Sequence, residues 1–282
     1  MGHYRARVAY DGTAYSGFQI QRTEATIQGE LEKALHRLTQ SPVRIAGAGR
    51  TDAGVHAHGQ VITFTGHWAH GDHVLQRALN AVLPLDISVR DVETVQESFH
   101  ARFSAITRAY AYAVYSDQVR VPTLDRYAWQ VTGPLDVVAM NRAASMLVGD
   151  HDFAAFGQPP SGENTVRIVD RAEWHTCHAG TQWIVSTAHE LYRFDIEANA
   201  FLRGMVRRIV GTLVSVGTKN LSVAEFGDLL ASADISRACR PAPACGLCLW
   251  RVEYPGDVLV GDEQVESQTP RVSGDAAVEH RR

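Results

Sequence analysis

The 282-residue chain has no run of about eighteen apolar residues, so it offers no helix able to cross a bilayer. Its start, Met1-Gly2-His3-Tyr4-Arg5, carries no apolar leader and alternates into a strand. It holds only four cysteines, which fits a reducing compartment. These absences point to a cytoplasmic protein. Cys245 and Cys248 form a Cys-x-x-Cys with Cys239 close by, but a second ligand pair at zinc-like spacing is lacking. The run Cys-Gly-Leu-Cys-Leu-Trp reads as a buried strand instead, and no metal is expected. An excess of positive charge is also missing. The formal net charge is −4, a weak argument against a nucleic-acid partner. That charge is uneven, because residues from Asp257 onward hold six Asp/Glu against three Arg. The rest is nearly neutral and can carry a basic groove, since the local field outweighs the sum. Arg203, Arg207 and Arg208 lie close together, with Arg102, Arg108, Arg120 and Arg126 spread nearby.

What is present is an ordinary globular composition, 45% hydrophobic and 21% charged, long enough for one large core or two smaller ones. His3 to Tyr10 alternates as a strand and ends at the turn signal Asp11-Gly12. A helix is predicted from Thr26, its N-cap, to Leu38, with Ile27, Leu31, Ala34 and Leu35 on one face. Strands are predicted over Val43 to Ala48, Gln60 to Thr65 and Ile87 to Val95, and a helix over Asp72 to Leu83. The order β-α-β-β-α-β is the split unit of ferredoxin-like folds. From Ser104 the same order repeats without residue-level similarity. Strands are predicted over Ala109 to Tyr115, Thr165 to Trp174, Leu191 to Ala198 and Leu247 to Tyr254. Helices are predicted over Leu135 to Leu147, with Val138 and Met140 as core, and over Phe201 to Val216. The expected fold class is α+β, with domains at 1–104 and 105–256. Residues 257–282 are expected to be a disordered tail.

The most informative segment is Gly49-Arg50-Thr51-Asp52-Ala53-Gly54-Val55-His56-Ala57. Its glycines permit a tight loop and close approach to a ligand. Asp52 reads either as a turn-capping Asx residue or as a nucleophile or general base. Arg50, two residues earlier, would share its face in an extended segment, and a nearby cation favours an ionised carboxylate. His56 and His58 could join Asp52 at a metal, but no third or fourth ligand has a recognisable spacing. Tyr110 reads as strand packing or as a base-stacking aromatic. Arg207, four after Arg203, would share its helix face and reach inward to a carboxylate.

The nine-residue Asp block resembles the signature of the tRNA pseudouridine synthase A (TruA) family. Three further blocks agree in order. They are Tyr10-Asp11-Gly12-Thr13 with Gly17-Phe18-Gln19, Phe99-His100-Ala101-Arg102-Phe103-Ser104-Ala105, and Asn199-Ala200-Phe201-Leu202-Arg203-Gly204-Met205-Val206-Arg207. The resemblance spans residues 4 to 254. It departs at Gln19, where a tryptophan is frequent, and at residues 175–190, which are longer and more polar. It implies two ferredoxin-like halves with sheets joined side by side and a central cleft. It implies an isomerase that converts uridine to pseudouridine in the anticodon stem-loop of tRNA, at positions 38, 39 and 40. A homodimer with no cofactor, no metal and no membrane partner is implied too. By the same resemblance Asp52 matches the essential aspartate, Tyr110 the active-site tyrosine, Arg207 the aspartate's basic partner, and Leu247 an apolar residue beside the base. Arg50 is the candidate to fill the space left by a flipped base or to hold a flanking phosphate. His56 is a candidate substrate contact.

Overall fold

The computed structural model describes residues 1–159, 162–177 and 190–256. Its strands are β1 (Gly2–Tyr10), β2 (Ile45–Gly47), β3 (His56–Gly66), β4 (Ile87–Thr94), β5 (Thr107–Ser116), β6 (Trp129–Val131), β7 (Gly149–Asp152), β8 (Val166–Cys177), β9 (Glu190–Ala198) and β10 (Leu247–Glu253). The α-helices are α1 (Ile27–Thr39), α2 (Asp72–Val82), α3 (Val137–Ala144), α4 (Met205–Gly217) and α5 (Val223–Ser232). The chain is mixed α+β, and all ten strands belong to one sheet. The path is β4-β1-β3-β10-β5-β9-β8-β7, with β2 paired to β3 and β6 to β5.

The helices follow local chemistry. Thr26 Oγ1 accepts the Gly29 N–H at 3.2 Å and starts α1, whose Ile27, Leu31, Ala34 and Leu35 are buried at helical spacing. Ser222 and Glu225 close a capping box on α5, which the sequence pattern did not reveal. α3 is shorter than predicted, running on into a 3-10 turn at Ser145–Leu147, and Val138 is 73% exposed rather than core. α4 also starts later than predicted. Gly204 takes φ 72°, and Arg203 donates its N–H to Gln158 O, so Phe201 to Gly204 lies outside the helix. The expected shared helix face of Arg203 and Arg207 is therefore absent. β3 begins at His56, four residues before the expected strand, and β2 shrinks to three residues. β8 and β9 pair as far as Cys177↔Leu191. The residues between them, and the expected tail at 257–282, lie outside the described residues.

The two larger apolar clusters among the described residues sit on this sheet, and they exchange residues. Most of the first 105 residues' core packs with Leu249 and Val252 of β10 and with Tyr254 just after it. Val55, from the first half of the chain, instead packs into the cluster holding Tyr112, Leu247 and α4. β10 is the seam. It runs antiparallel to β5 and parallel to β3 at Cys248↔His56 and Leu249↔Ala57. Val55 is 2% exposed and stands three residues beyond Asp52. Replacing Val55 with Ala should cost about 2 kcal/mol, because a buried branched side chain is lost and the far core leaves a void. Denaturant titration checks this, and an unchanged midpoint would mean Val55 does not hold the seam.

Candidate active site

Asp52 lies on the loop between β2 and β3, and buried groups fix that loop. Gln60, fully buried, spans Gly49 from both sides: its Nε2 donates to Gly49 O at 2.8 Å and its Oε1 accepts the Gly49 N–H at 3.3 Å. Thr51 Oγ1 bonds Tyr10 Oη at 2.8 Å. Phe18 N–H donates to Thr51 O at 3.1 Å, and Val55 N–H to Asp52 O at 3.2 Å. Gly17 sits at φ 92°, a region that disfavours side chains, and a Cβ there would come within 2.7 Å of Thr51 O. A Cβ on Gly12 would lie 2.0 Å from Val55 O. The backbone therefore approaches the Asp52 loop closely from two directions.

The carboxylate points at α4. Arg207 Nη1 donates to Asp52 Oδ2 at 3.1 Å, with the side chains 22% and 41% exposed. Arg207 is itself aimed. Its Nε donates to Ala242 O at 2.7 Å, and Ala242 N–H returns a bond to Arg207 O at 2.9 Å. Gly211 lets this strap cross the helix, since a Cβ there would meet Arg240 O at 2.5 Å.

Tyr110 stands on β5 opposite Leu249 and Ile196, half-buried, with Phe201 edge-on at 5.0 Å between ring centroids. Its hydroxyl faces the loop, for a Cβ on Gly49 would sit 3.9 Å from it. Burial pushes its pKa up to about 12, Arg108 pulling it down and the Asp52 charge adding to the rise. Leu247 opens β10 opposite Tyr112 and is 6% exposed. The structure thus brings Asp52, Arg207 and Tyr110 around one loop, with Leu247 on the neighbouring strand.

Arg50 is exposed and makes no ion pair among the described residues; the cation on Asp52 is Arg207 instead. His56 is 7% exposed, and both ring nitrogens are engaged. Nδ1 accepts the Gly12 N–H at 3.1 Å and Nε2 meets Arg126 O at 3.1 Å. Asp11 lies 3.2 Å from that Nδ1 and also takes Arg126 and Tyr127. This leaves the ring no free nitrogen for a ligand. His58 is exposed and stacks on Trp250 at 4.7 Å. Asp52, His56 and His58 therefore do not converge, and no metal-holding group of three or more His, Cys, Asp or Glu occurs among the described residues. Cys245 lies in a 3-10 turn before β10 rather than in the strand, and its thiol and that of Cys248 are pushed up by burial, the latter to about 11.

Sequence reading did not single out Gln60 or Phe201 as parts of the site, and it placed Arg108 only among the arginines of a basic groove. A glutamine among apolar strand residues was the available signal for the first. Among the described residues Arg108 donates to main-chain carbonyls alone: Ala105 O at 3.3 Å, Asn199 O at 2.9 Å, Ala48 O at 3.4 Å and Arg102 O at 2.7 Å. Burial lowers its pKa.

A sequence profile describing tRNA pseudouridine synthase matches residues 6–104 and 143–255. Curated relatives bearing the name tRNA pseudouridine synthase A agree over most of their length. That of Chloroflexus aurantiacus is 43% identical, covering 89% of this chain and 88% of its own. That of Roseiflexus castenholzii is 42% identical over 91% and 92%, and that of Brevibacillus brevis 40% over 90% and 100%. The chain belongs to the tRNA pseudouridine synthase family. The geometry brings the four sequence blocks named above together in this molecule. Gly12 and Phe18 pack the Asp52 loop, Arg102 shares the Arg108 clamp with Ala48, and Arg207 reaches Asp52.

His56 gives a pH prediction. Burial holds its folded pKa below the ordinary 6.5, with Asp11 opposing. The folded state then binds fewer protons than the unfolded chain in that window. The stability this contributes is full above about pH 6.5 and is lost as pH falls through the folded value. The thermal midpoint of the native chain should drop more steeply below pH 6.5 than that of His56→Gln. Parallel curves would remove His56 from the account.

Proposed function

We propose that this chain converts uridine to pseudouridine in tRNA, with Asp52 as the catalytic group. The observation that carries the reading is the direct contact of Asp52 with Arg207 across the seam, beside Tyr110. In the reaction the C1′–N1 bond breaks, the uracil turns, and a C1′–C5 bond forms. The C5 proton leaves and N1 gains one, so no co-reactant is consumed. A single carboxylate suffices at the sugar, by attack on C1′ or by removal of the 2′ proton, in contrast to the paired acids of glycoside hydrolysis. Arg207 orients that carboxylate. Tyr110 stacks on the uracil. With a pKa near 12, only about one phenol in 10⁵ is ionised at pH 7, so Tyr110 handles the C5 proton by relay rather than as a standing base. Leu247 supplies apolar contact to the base. Arg50 enters the space of the extruded nucleotide or takes its phosphate. His56 serves indirectly, by fixing the strand that follows the loop.

The substrate region in this reading is the anticodon stem-loop, uridines 38, 39 and 40, with the chain acting in the cytoplasm as a homodimer. Two ferredoxin-like halves, residues 1–104 and 105–256, form the walls of the cleft. The strand order β4-β1-β3-β2 in one half and β10-β5-β9-β8 in the other, antiparallel throughout, supports that division.

Tritium release from C5-labelled tRNA tests the reading. Asp52→Asn should lower turnover by about 10⁴-fold or more, and Arg207→Ala by about 10²-fold, since misplacing a catalytic group by an ångström has that scale of effect. Turnover of Asp52→Asn near that of the native chain would overturn the assignment. The kcat profile should also show no alkaline fall below about pH 11 from Tyr110 ionisation. An earlier fall that vanishes in Tyr110→Phe would contradict its environment.

A further inference from the structure

The segment between β4 and β5 ends in a built turn that the mechanism does not use. His100 N–H donates to Ser104 Oγ at 3.0 Å, and Ser104 N–H returns to His100 O at 2.9 Å. His100 Nδ1 accepts the Arg102 N–H at 3.0 Å. This closed turn presents Phe103 outward, 75% exposed. The His100 ring lies 4.5 Å from it and the Arg102 guanidinium 5.5 Å over it. An apolar ring held out by a hydrogen-bonded turn, rather than folded onto the core, has its face available to a ligand.

Position and charge say which ligand. Arg108 Nη2 holds Arg102 O and Ala48 O together, and Ala48 leads directly into Gly49-Arg50-Thr51-Asp52. The turn is therefore pinned beside the Asp52 loop. Arg50, Arg102 and Arg108 have no carboxylate partner among the described residues, although the protein as a whole is acidic. A flat aromatic face flanked by unneutralised guanidinium groups suits a planar base on an anionic backbone. We propose that Phe103 stacks a nucleobase next to the target uridine and that Arg102 takes the adjoining phosphate. This makes the turn a second RNA contact that sets how the strand enters the site. It rests on the reading of the site as a pseudouridine synthase centre.

The test compares Phe103→Ala, Phe103→Trp, Phe103→Tyr and Arg102→Ala in the full chain, with tRNA transcript as the probe. KM and kcat come from tritium release, and Kd from filter binding across a salt series. Phe103→Ala should raise KM and Kd about tenfold, with the change falling on them rather than on kcat. The Trp and Tyr variants should restore both, because a base stacks on any aromatic face. Arg102→Ala should reduce the slope of log Kd against log salt by about 0.7 to 0.9. Native KM and Kd in Phe103→Ala would overturn the proposal, as would a loss that neither aromatic replacement restores. Asp52→Asn is run in parallel. If it keeps turnover, the catalytic reading fails while the Kd values still judge the Phe103 surface.

Discussion

The contact between the Asp52 carboxylate and the Arg207 guanidinium is the constraint around which the site is arranged. It joins residues 155 positions apart and crosses the seam of the sheet. It does not hold that seam together. A pair whose carboxylate is 41% exposed adds about 0–1 kcal/mol to stability. Val55 and Leu249, buried in the opposite half's cluster, contribute about 1.5–3 kcal/mol each. The fold therefore places the ion pair, and the pair is left free to act on a ligand.

Placement of that kind needs rigidity on both sides, and each partner has it from main-chain contacts. The Asp52 loop is pinned by the buried Gln60 amide, the Thr51 hydroxyl and two glycines that let backbone touch backbone. Arg207 is pinned by reciprocal bonds with Ala242. Arg108 extends the arrangement by gathering carbonyls from three segments on one guanidinium. Polar groups satisfied in this way resist displacement, because breaking one leaves a donor or acceptor unpaired in a dry environment. Such a scaffold meets the angular demands of a reaction in which the base leaves and rebonds at a different atom.

Much of this was legible in the sequence where one local signal dominated. α1 was readable from its cap and its apolar spacing, and β1 and β5 from alternation. The Asp block pointed to a tight loop between strands, because no helix or strand needs that glycine spacing, and a loop is what lies there. The failures share a cause. Phe201 to Gly204 carries helical periodicity, but its burial comes from packing on Tyr110 and bridging to Gln158, which are distant in sequence. His56 invited a ligand role, yet the neighbours that occupy its ring, Gly12 and Arg126, lie 44 and 70 residues away. β10 looked like any closing strand. Nothing in its composition announces a parallel partner on one side and an antiparallel one on the other.

The charge pattern follows part of the same division between scaffold and site. Several arginines on the sheet are neutralised: Arg7 by Asp91, Arg193 by Asp195, Arg251 by Glu197 and Glu253. Around the Asp52 loop, Arg50, Arg102 and Arg108 have no carboxylate partner among the described residues. A formal charge of −4 therefore does not describe the surroundings of the Asp52 loop, where these three arginines carry no paired carboxylate among the described residues. Since exposed charges act within about 10 Å at moderate salt, an approaching polyanion responds to that region and not to the total. Asp52 itself is paired with Arg207, so that pair adds little net charge and the field of the other arginines is left to attract a phosphate backbone.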